Sequence, residues 1–541
     1  MSVYKTFIFY PLFWAALIFS LFFSSKRYLH MAQLEGYKPG QYARWLRVNA
    51  ERIFFRESLI ILLTSLAAYL VFKIDKTISI KGAVVFIIWF LSMGYYSFYL
   101  YGLEKKAKKP LVFTKRATRL FVFELLLSAA SIYFYCAKAG VVFADLMILS
   151  IIVYVIPVYM LVATVLTTPL EMHIQNRYFI DAREKIKKMK NLKVIGITGS
   201  YGKTSTKYFT ATLLKQKYNT LMTPESYNTP MGVTKVIREQ LTDLHEVFVC
   251  EMGARYKGDI RKLCDLVNPT IGVVTSIGPQ HLETFHSIEN IIDTKFELIE
   301  SLPDNGISIL NGDNEYIIKK VNSIKTNAVL YGMNSNSQYY ITACGINNSR
   351  EGLKFKVRTA DGIEFDCRTS LLGRHNVSNL LAAICVALKM GLTVGEIQAG
   401  LREIKPVPHR LQILDTDNGV TVIDDAFNSN PEGVRQALEV LKEIEGRKKI
   451  IVTPGMVELG AVESEENRKM GRLMARCCDY AIIVGKKRTR PIVEGLMEEN
   501  FPPDNIKVVP NLDEATKVLS SIVRQKDVVL FENDLPDNYD E

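Results

Sequence analysis

Five apolar stretches crowd the first 170 residues, near 7–24, 58–72, 83–101, 120–137 and 141–166. Most approach the length needed to cross a hydrocarbon core of about 30 Å. The second is short, and the fourth and fifth carry the acids Glu124 and Asp145. Any one of them could be a buried helix of a soluble protein; five in succession predict an α-helical membrane domain, in which every backbone polar group is satisfied within the segment. The loops give an orientation. Residues 25–57 hold Lys26, Arg27, Lys38, Arg44, Arg47, Arg52 and Arg56, and residues 102–119 hold Lys105, Lys106, Lys108, Lys109, Lys115, Arg116 and Arg119. The alternate loops hold only Lys73, Lys76 and Lys81, then Lys138. The positive-inside rule puts the two rich loops in the cytoplasm. Five spans then place the N-terminus outside and residue 167 onward inside, in a multi-pass cell-membrane protein. The first stretch has no small-residue cleavage site, which favours a signal anchor over a cleaved signal peptide.

The net charge of +11 has the same origin. Residues 1–190 hold 25 Lys/Arg against 10 Asp/Glu, whereas residues 191–541 hold 42 against 46. The globular part is slightly acidic, which argues against a nucleic-acid partner. Eight cysteines without a C-x-x-C pair form neither a zinc ribbon nor a disulfide framework and suit a reducing compartment. Residues 171–190 read as a basic amphipathic helix, either touching anionic lipid of the bilayer or serving as a solvated connector.

From 192 the pattern changes to short β-branched runs alternating with helical periods, the mark of a parallel sheet. LKVIGIT (192–198), HEVFVCEM (245–252), TIGVVTSI (270–277) and GISILN (306–311) read as strands, and 204–216 and 376–390 as helices. A second series starts near 411 with LQILDT, followed by GVTVIDD (419–425), KKIIVTPG (448–455), YAIIVG (480–485), IKVVP (506–510) and DVVLFE (527–532). The first strand runs into GSYGKTST (199–206). A strand–loop–helix unit aims backbone N–H groups and a helix N-terminus at an anion. Gly199 and Gly202 permit close backbone approach, Lys203 can neutralise β- and γ-phosphates, and Thr204 can offer a hydroxyl to Mg²⁺. Ser200 and Ser205 complete the loop. The spacing is T-G-x-x-G-K-[ST], because position 197 is Ile rather than Gly.

TGSYGKTSTK resembles the ATP loop of the Mur ligases, the ATP-dependent amino-acid ligases of peptidoglycan precursor synthesis. The likeness runs from about 192 to 530 through EMG (251–253), SIGPQHLETF (276–285), LNGDN (310–314), GRHNVSNLLAA (373–383), VPHRLQ (407–412), IDDAFNSNP (423–431) and GMVELG (455–460). The last two are most similar to the D-alanyl-D-alanine-adding member, MurF. The resemblance implies a central P-loop ATPase domain at 191–406 and a C-terminal Rossmann-like α/β domain at 407–541, behind a membrane domain at 1–170 and a linker at 171–190. Its implied cofactors are ATP and Mg²⁺, and its implied partners are a peptidoglycan precursor peptide, UDP-linked or lipid-linked, and an amino acid or dipeptide.

Residue by residue, Glu251 at a strand end can hold Mg²⁺ or be a solvated strand end. For His281 in IGPQH the resemblance implies a ligand for a second Mg²⁺. Lys295, in a helical stretch, reads as a surface lysine; the resemblance implies a carbamylated lysine that ligates metal. Asn376 and Asn379 share a helix face and serve either as caps or, by resemblance, in cofactor binding, with Asn379 at the adenine. Arg410 at the interdomain hinge can reach a γ-phosphate when the domains close. Asp425 ends a strand where acids bind ribose. Asn228, Asn428 and Asn430 fall to the substrate by resemblance, and the last two also read as a turn. The chain departs from the family in four ways: membrane helices stand where a UDP-binding domain normally precedes the ATPase domain, Ala426 replaces the serine of DDSYNANP, Asn467 replaces a histidine, and FENDLPDNYDE (531–541) replaces a Lys-Gly-Ser segment. The expected chemistry is phosphoryl transfer to a carboxylate, then amide formation from the acyl phosphate. Two alternatives are a ligase acting on another chain, such as a poly-γ-glutamate capsule, and an ATPase-gated transporter or sensor.

Overall fold

The computed structural model describes residues 2–74, 80–105, 109–139, 143–225, 227–280, 282–322, 324, 326–334, 338–349, 352–416, 418–426, 429–457 and 459–534. His281, Asn428 and the Asp145 side chain fall outside the described set. The chain divides into two compact units, one formed essentially by Met1–Gln175 and the other by Asn176–Leu535.

The first unit is all helix. Its long elements are Ser2–Leu34, Leu59–Ile74, Ile80–Lys105, Lys115–Ala139 and the start of Ile152–Lys188. Among the described residues three helices are long and apolar enough to cross a membrane, rather than the five expected: Ile80–Lys105, Lys115–Ala137 and Ile152–Lys188, with mean hydropathies of 1.7, 1.8 and 1.9. A fourth arises if Glu51–Glu57 and Leu59–Ile74, bent by 49°, count as one span. The 58–72 stretch is too short alone because a π-helical turn precedes it. The bundle core holds Trp89 stacked on Phe13 at 5.2 Å, with the indole N–H donated to Ser150 Oγ at 3.1 Å. Glu124 is fully enclosed and accepts the Ser128 hydroxyl at 2.8 Å. Glu171 takes both hydrogen bonds of the Arg119 fork at 2.6 and 2.8 Å.

Residues 171–188 do not form a separate amphipathic helix; they end the helix Ile152–Lys188. Phe179, Ala182 and Ile186 share one face, and Ala182 and Ile186 are buried in the core of the second unit. Asp181 pairs with Arg238 at 2.6 Å, and Lys185 Nζ donates to Ile237 O at 2.9 Å. That face is neither a free connector nor a lipid contact, because its apolar stripe has been spent on packing.

The second unit carries two sheets. The strands are β1 (Lys193–Thr198), β2 (Thr220–Met222), β3 (Val247–Glu251), β4 (Ile271–Val274), β5 (Ile307–Asn311), β6 (Asn327–Gly332), β7 (Ile341–Ser349), β8 (Gly352–Thr359) and β9 (Glu364–Thr369), then β10 (Gln412–Asp415), β11 (Thr421–Asp425), β12 (Lys449–Thr453), β13 (Tyr480–Val484), β14 (Ile506–Val509) and β15 (Val528–Glu532). The first sheet has the order β2-β3-β1-β4-β5-β6-β7-β8-β9. It is parallel through β7 and antiparallel beyond. Strands β1, β3 and β4 are buried along their whole apolar length because helices cover both faces. Lys203–Leu214 and His375–Lys389 pack on one face, and Pro230–Glu239, Asp259–Val267 and Ile288–Glu300 on the other. β8, by contrast, alternates buried and open residues. The second sheet has the order β10-β11-β15-β12-β13-β14, parallel except for β10. The last strand is therefore inserted beside β11. Both parallel sheets deliver the side chains that follow to their C-terminal edges, where ligands bind in open α/β sheets.

Candidate active site

The loop after β1 closes tightly. Gly199 and Gly202 have φ of +153° and +77°. A Cβ on Gly199 would run into the Thr275 hydroxyl and Ser276 O, and one on Gly202 into the Asn379 amide. The backbone can take this path only without side chains at those two positions. Ser200 secures the loop from below: its N–H donates to Ser276 O at 2.6 Å, and its hydroxyl bridges Gly278 O and Gly278 N at 3.0 and 3.1 Å. Lys203 opens the helix, and its ammonium donates back into the loop to Gly199 O at 2.7 Å and Ser200 O at 2.9 Å. Burial lowers its pKa to about 8, against the pull of Glu251.

Glu251, the last residue of β3, is buried rather than solvated. One oxygen accepts the Thr204 hydroxyl at 3.2 Å and the Asn228 amide at 3.0 Å. The other faces the Lys207 ammonium at 3.1 Å. Lys207 lies one turn after Lys203, is fully enclosed, and donates to Glu225 O at 2.6 Å. Sequence reasoning missed it, although an i, i+4 lysine on a helix face that packs on a sheet was the available signal. Ser205 follows on the first helical turn, half-buried.

Lys295 is not a surface lysine. It is 3% exposed on the helix Ile288–Glu300, with its ammonium 6.0 Å from the centre of the Phe285 ring. Burial first, and the charge of Lys203 second, hold its pKa well below the ordinary lysine value. Asn376 and Asn379 are not caps either, since the N-cap of their helix is Arg374. Asn376 donates to Leu372 O at 2.7 Å, and Asn379 accepts from Thr206 Oγ1 at 3.4 Å, against the phosphate loop.

From the second sheet come Arg410, Asp425 and Asn430. Arg410 lines a pocket with Asn376, Leu371 and Pro406. Burial lowers its pKa, and Asp425, Glu251 and Glu532 oppose that shift. Arg410 thus lies within electrostatic reach of both sheet edges. Asp425 ends β11, half-buried, and accepts Leu411 N–H at 3.2 Å. Asn430 is a cap: its side-chain oxygen accepts Gly433 N–H at 2.9 Å at the start of Pro431–Glu443. Two more residues had been given no role from the sequence. Glu532 ends β15 with no exposed surface, and burial raises its pKa well above the carboxylate range, Asp425 adding to the effect. Asn467 clamps the 455–460 loop, accepting Met456 N–H at 2.9 Å and donating to Met456 O and Glu463 O at 2.9 and 3.0 Å. The signal for Glu532 was an acid closing an apolar strand run, the same one that marks Glu251 and Asp425.

The arrangement fits a nucleoside triphosphate. It offers a glycine-lined loop, a buried ammonium and a helix N-terminus. Among the described residues no group of three or more His, Cys, Asp or Glu converges on a metal position. The Thr204 hydroxyl and Glu251 carboxylate nevertheless supply two hard oxygen donors side by side, which suits a Mg²⁺ that completes its shell with phosphate and water.

Comparisons with known proteins identify both α/β domains. The Mur ligase middle-domain model matches residues 197–387, and the model described as Mur ligase, glutamate ligase domain matches 409–532. The UDP-N-acetylmuramoyl-tripeptide--D-alanyl-D-alanine ligase of Bacillus subtilis is 30% identical over 340 residues, covering 63% of this chain and 72% of its own. The enzyme of that name from Escherichia coli is 33% identical over 296 residues, covering 54% of this chain and 65% of its own. The crystal structure of MurF ligase from Thermotoga maritima in complex with ADP aligns with a TM-score of 0.59 at 27% identity, over 66% of this chain and 80% of that one. The helical unit at the start of the chain lies outside both matched segments.

Proposed function

The chain belongs to the Mur ligase family, and from that premise we propose that it joins an amino acid or D-alanyl-D-alanine to the peptide carboxylate of a peptidoglycan precursor, as MurF enzymes are named for doing. It is an ATP-dependent, ADP-forming ligase. The observation that carries the finer reading is the convergence in one unit of the 199–205 loop, Glu251 and Lys295 with Arg410 and Asp425 from the second sheet.

In this reading Gly199, Gly202, Lys203, Asn376 and Asn379 hold ATP. The acceptor carboxylate attacks the γ-phosphorus, and the growing charge is met by Lys203 and Arg410. An acyl phosphate and ADP result. The amine attacks the acyl carbon, the C–O bond to phosphate breaks, and inorganic phosphate leaves with the electron pair. Thr204 and Glu251 would hold Mg²⁺, which would neutralise charge on the phosphates. Lys295 deepens the picture, because a lysine kept neutral by burial can react with carbon dioxide and become a carbamate. Asn228, through Glu251, and Asn430, through its helix cap, position rather than touch. We divide the chain functionally into 1–170, 171–190, 191–406 and 407–541. The test is mass spectrometry of products from UDP-N-acetylmuramoyl-tripeptide, ATP and D-alanyl-D-alanine or single amino acids; no ADP-coupled amide product from any pairing would overturn the reading.

A second reading concerns the acceptor. Three apolar helices and their basic loops favour a membrane position with the ligase unit on the cytoplasmic side, within reach of a lipid-linked precursor. A chain starting at residue 171 keeps the packing face around Phe179, Ala182 and Ile186. If it equals the full chain on UDP-linked acceptor, and the full chain shows no preference for lipid-linked acceptor, the membrane helices only anchor.

A further inference from the structure

Lys207 has no part in the reaction steps above, yet it is fully enclosed beside the phosphate loop. It lies one turn after Lys203 on the helix Lys203–Leu214, so both side chains leave the same face. Their ammonium groups go to different places. Lys203 donates back into the loop, to Gly199 O and Ser200 O. Lys207 reaches Glu251 Oε2 at 3.1 Å and donates to Glu225 O at 2.6 Å. Glu251 Oε1 is held separately by the Thr204 hydroxyl and the Asn228 amide, and the Glu251 N–H donates to Thr223 Oγ1 at 3.1 Å. The carboxylate is therefore pinned at both oxygens. Lys203 and Lys295 also feel its charge, so three lysines lie within electrostatic reach of one acid, and Lys207 is the one paired with it. Packing alone does not call for a lysine here, because an enclosed ion pair costs more solvation than apolar side chains of similar volume. What the pair achieves is occupancy. Without Lys207 the bare carboxylate would draw the Lys203 ammonium, whose only hydrogen bonds are to two loop carbonyls.

We propose that Lys207 is a positioning residue for ATP binding: it keeps Glu251 occupied, so that Lys203 stays in the loop to meet the phosphates. This rests on the ligase reading above. The test is equilibrium binding of ATP in EDTA, with no metal to bridge protein and nucleotide, to the full-length protein and three variants. Lys207→Met keeps the length of the side chain without its charge, Glu251→Gln removes the acid, and the third variant carries both changes. Lys207→Met should raise the Kd for ATP about tenfold, the scale of one lost charge-assisted contact. In the Glu251→Gln background there is no carboxylate to draw Lys203 away, so the double variant should match Glu251→Gln within about twofold, the ordinary scatter of a mutant cycle. An equal weakening in both backgrounds overturns the proposal, because Lys207 would then act on the nucleotide directly. An unchanged Kd in Lys207→Met, with only a lower melting temperature, overturns it as well and leaves Lys207 a purely structural residue. A bare buried carboxylate is strongly destabilising. If Lys207→Met does not fold for that reason, the double variant, uncharged at both positions, decides against Glu251→Gln alone: equal affinity supports the proposal and weaker binding overturns it. A wild-type protein that binds no ATP overturns the ligase reading itself, and this role with it.

Discussion

The two sides of the site bury charge in opposite ways. On the phosphate side Lys203, Lys207 and Lys295 surround one carboxylate, Glu251. On the other side Asp425 and Glu532 stand side by side and act electrostatically on one guanidinium, Arg410. Burial disfavours the charged form in both places, so it lowers the lysines and raises the carboxyls. Arg410 lies within electrostatic reach of both sides.

The largest disturbance of that contrast is Lys203→Ala. It removes the cation that the loop is folded around, and ligation is expected to fall by about 10²–10³, the scale of losing a group that stabilises transition-state charge. The folded state should scarcely change, because the ammonium bonds only to two loop carbonyls. Steady-state turnover together with thermal melting checks this, and wild-type turnover would remove the phosphate side from the comparison.

Next in size is Lys295→Ala, expected to lose about 10²-fold, the upper range for disturbing a metal-site ligand shell. If Lys295 works as a carbamate, formate or acetate should restore part of the rate by supplying the missing carboxylate oxygens. Loss without rescue leaves the lysine important as an amine, and an unchanged rate removes it from the site.

The phosphate side could be read from the sequence because it is nearly contiguous: 199–205 follows a β-branched strand and opens a helix, and Glu251 and Lys295 sit in recognisable surroundings. What stayed hidden there was burial. Lys295 sits on the inward face of an amphipathic helix, and Lys207 is enclosed by a sheet that the sequence does not display. The other side is assembled from residues 410, 425, 429, 467 and 532. Only the sheet order, with β15 placed between β11 and β12, brings the end of DVVLFE beside Asp425. A strand run carries no mark of the neighbour it pairs with. The antiparallel β7–β9 was missed for a related reason: β8 alternates buried and open residues and lacks the continuous apolar run of a doubly covered strand. In the helical unit the apolar stretches were visible, whereas the bend before Leu59 was not.

Asn467→Ala sharpens the comparison without touching charge. Its side chain makes three hydrogen bonds that hold the 455–460 loop, and the residue is 1% exposed. Removing it strands the Met456 N–H and two carbonyls, at a cost of about 2 kcal/mol, roughly thirtyfold in an equilibrium constant. Chemical denaturation should show that loss.

The smallest expected effect is a pH dependence confined to the phosphate side. Lys203 titrates near pH 8 in the free protein because burial opposes its charge. Below that pH it is ammonium and attracts phosphate. As pH rises through the folded-state value it becomes a neutral amine, so ATP must either bind without the cation or draw in a proton to restore it. ATP affinity should therefore be flat on the acid side and weaken by about tenfold per pH unit above about 8, which is the limit for one linked proton. An amine substrate loses its own ammonium proton over the same range, a separate effect on its KM. Lys203→Arg separates the two effects. Its guanidinium stays charged throughout, so the slope in ATP affinity should vanish, while any change in the KM for the amine persists. Equilibrium binding of ATP by wild type and Lys203→Arg, measured from pH about 6.5 to 9.5, decides it. A slope that survives in the arginine variant would show that the titrating group lies elsewhere and that the phosphate side does not depend on the charge of Lys203.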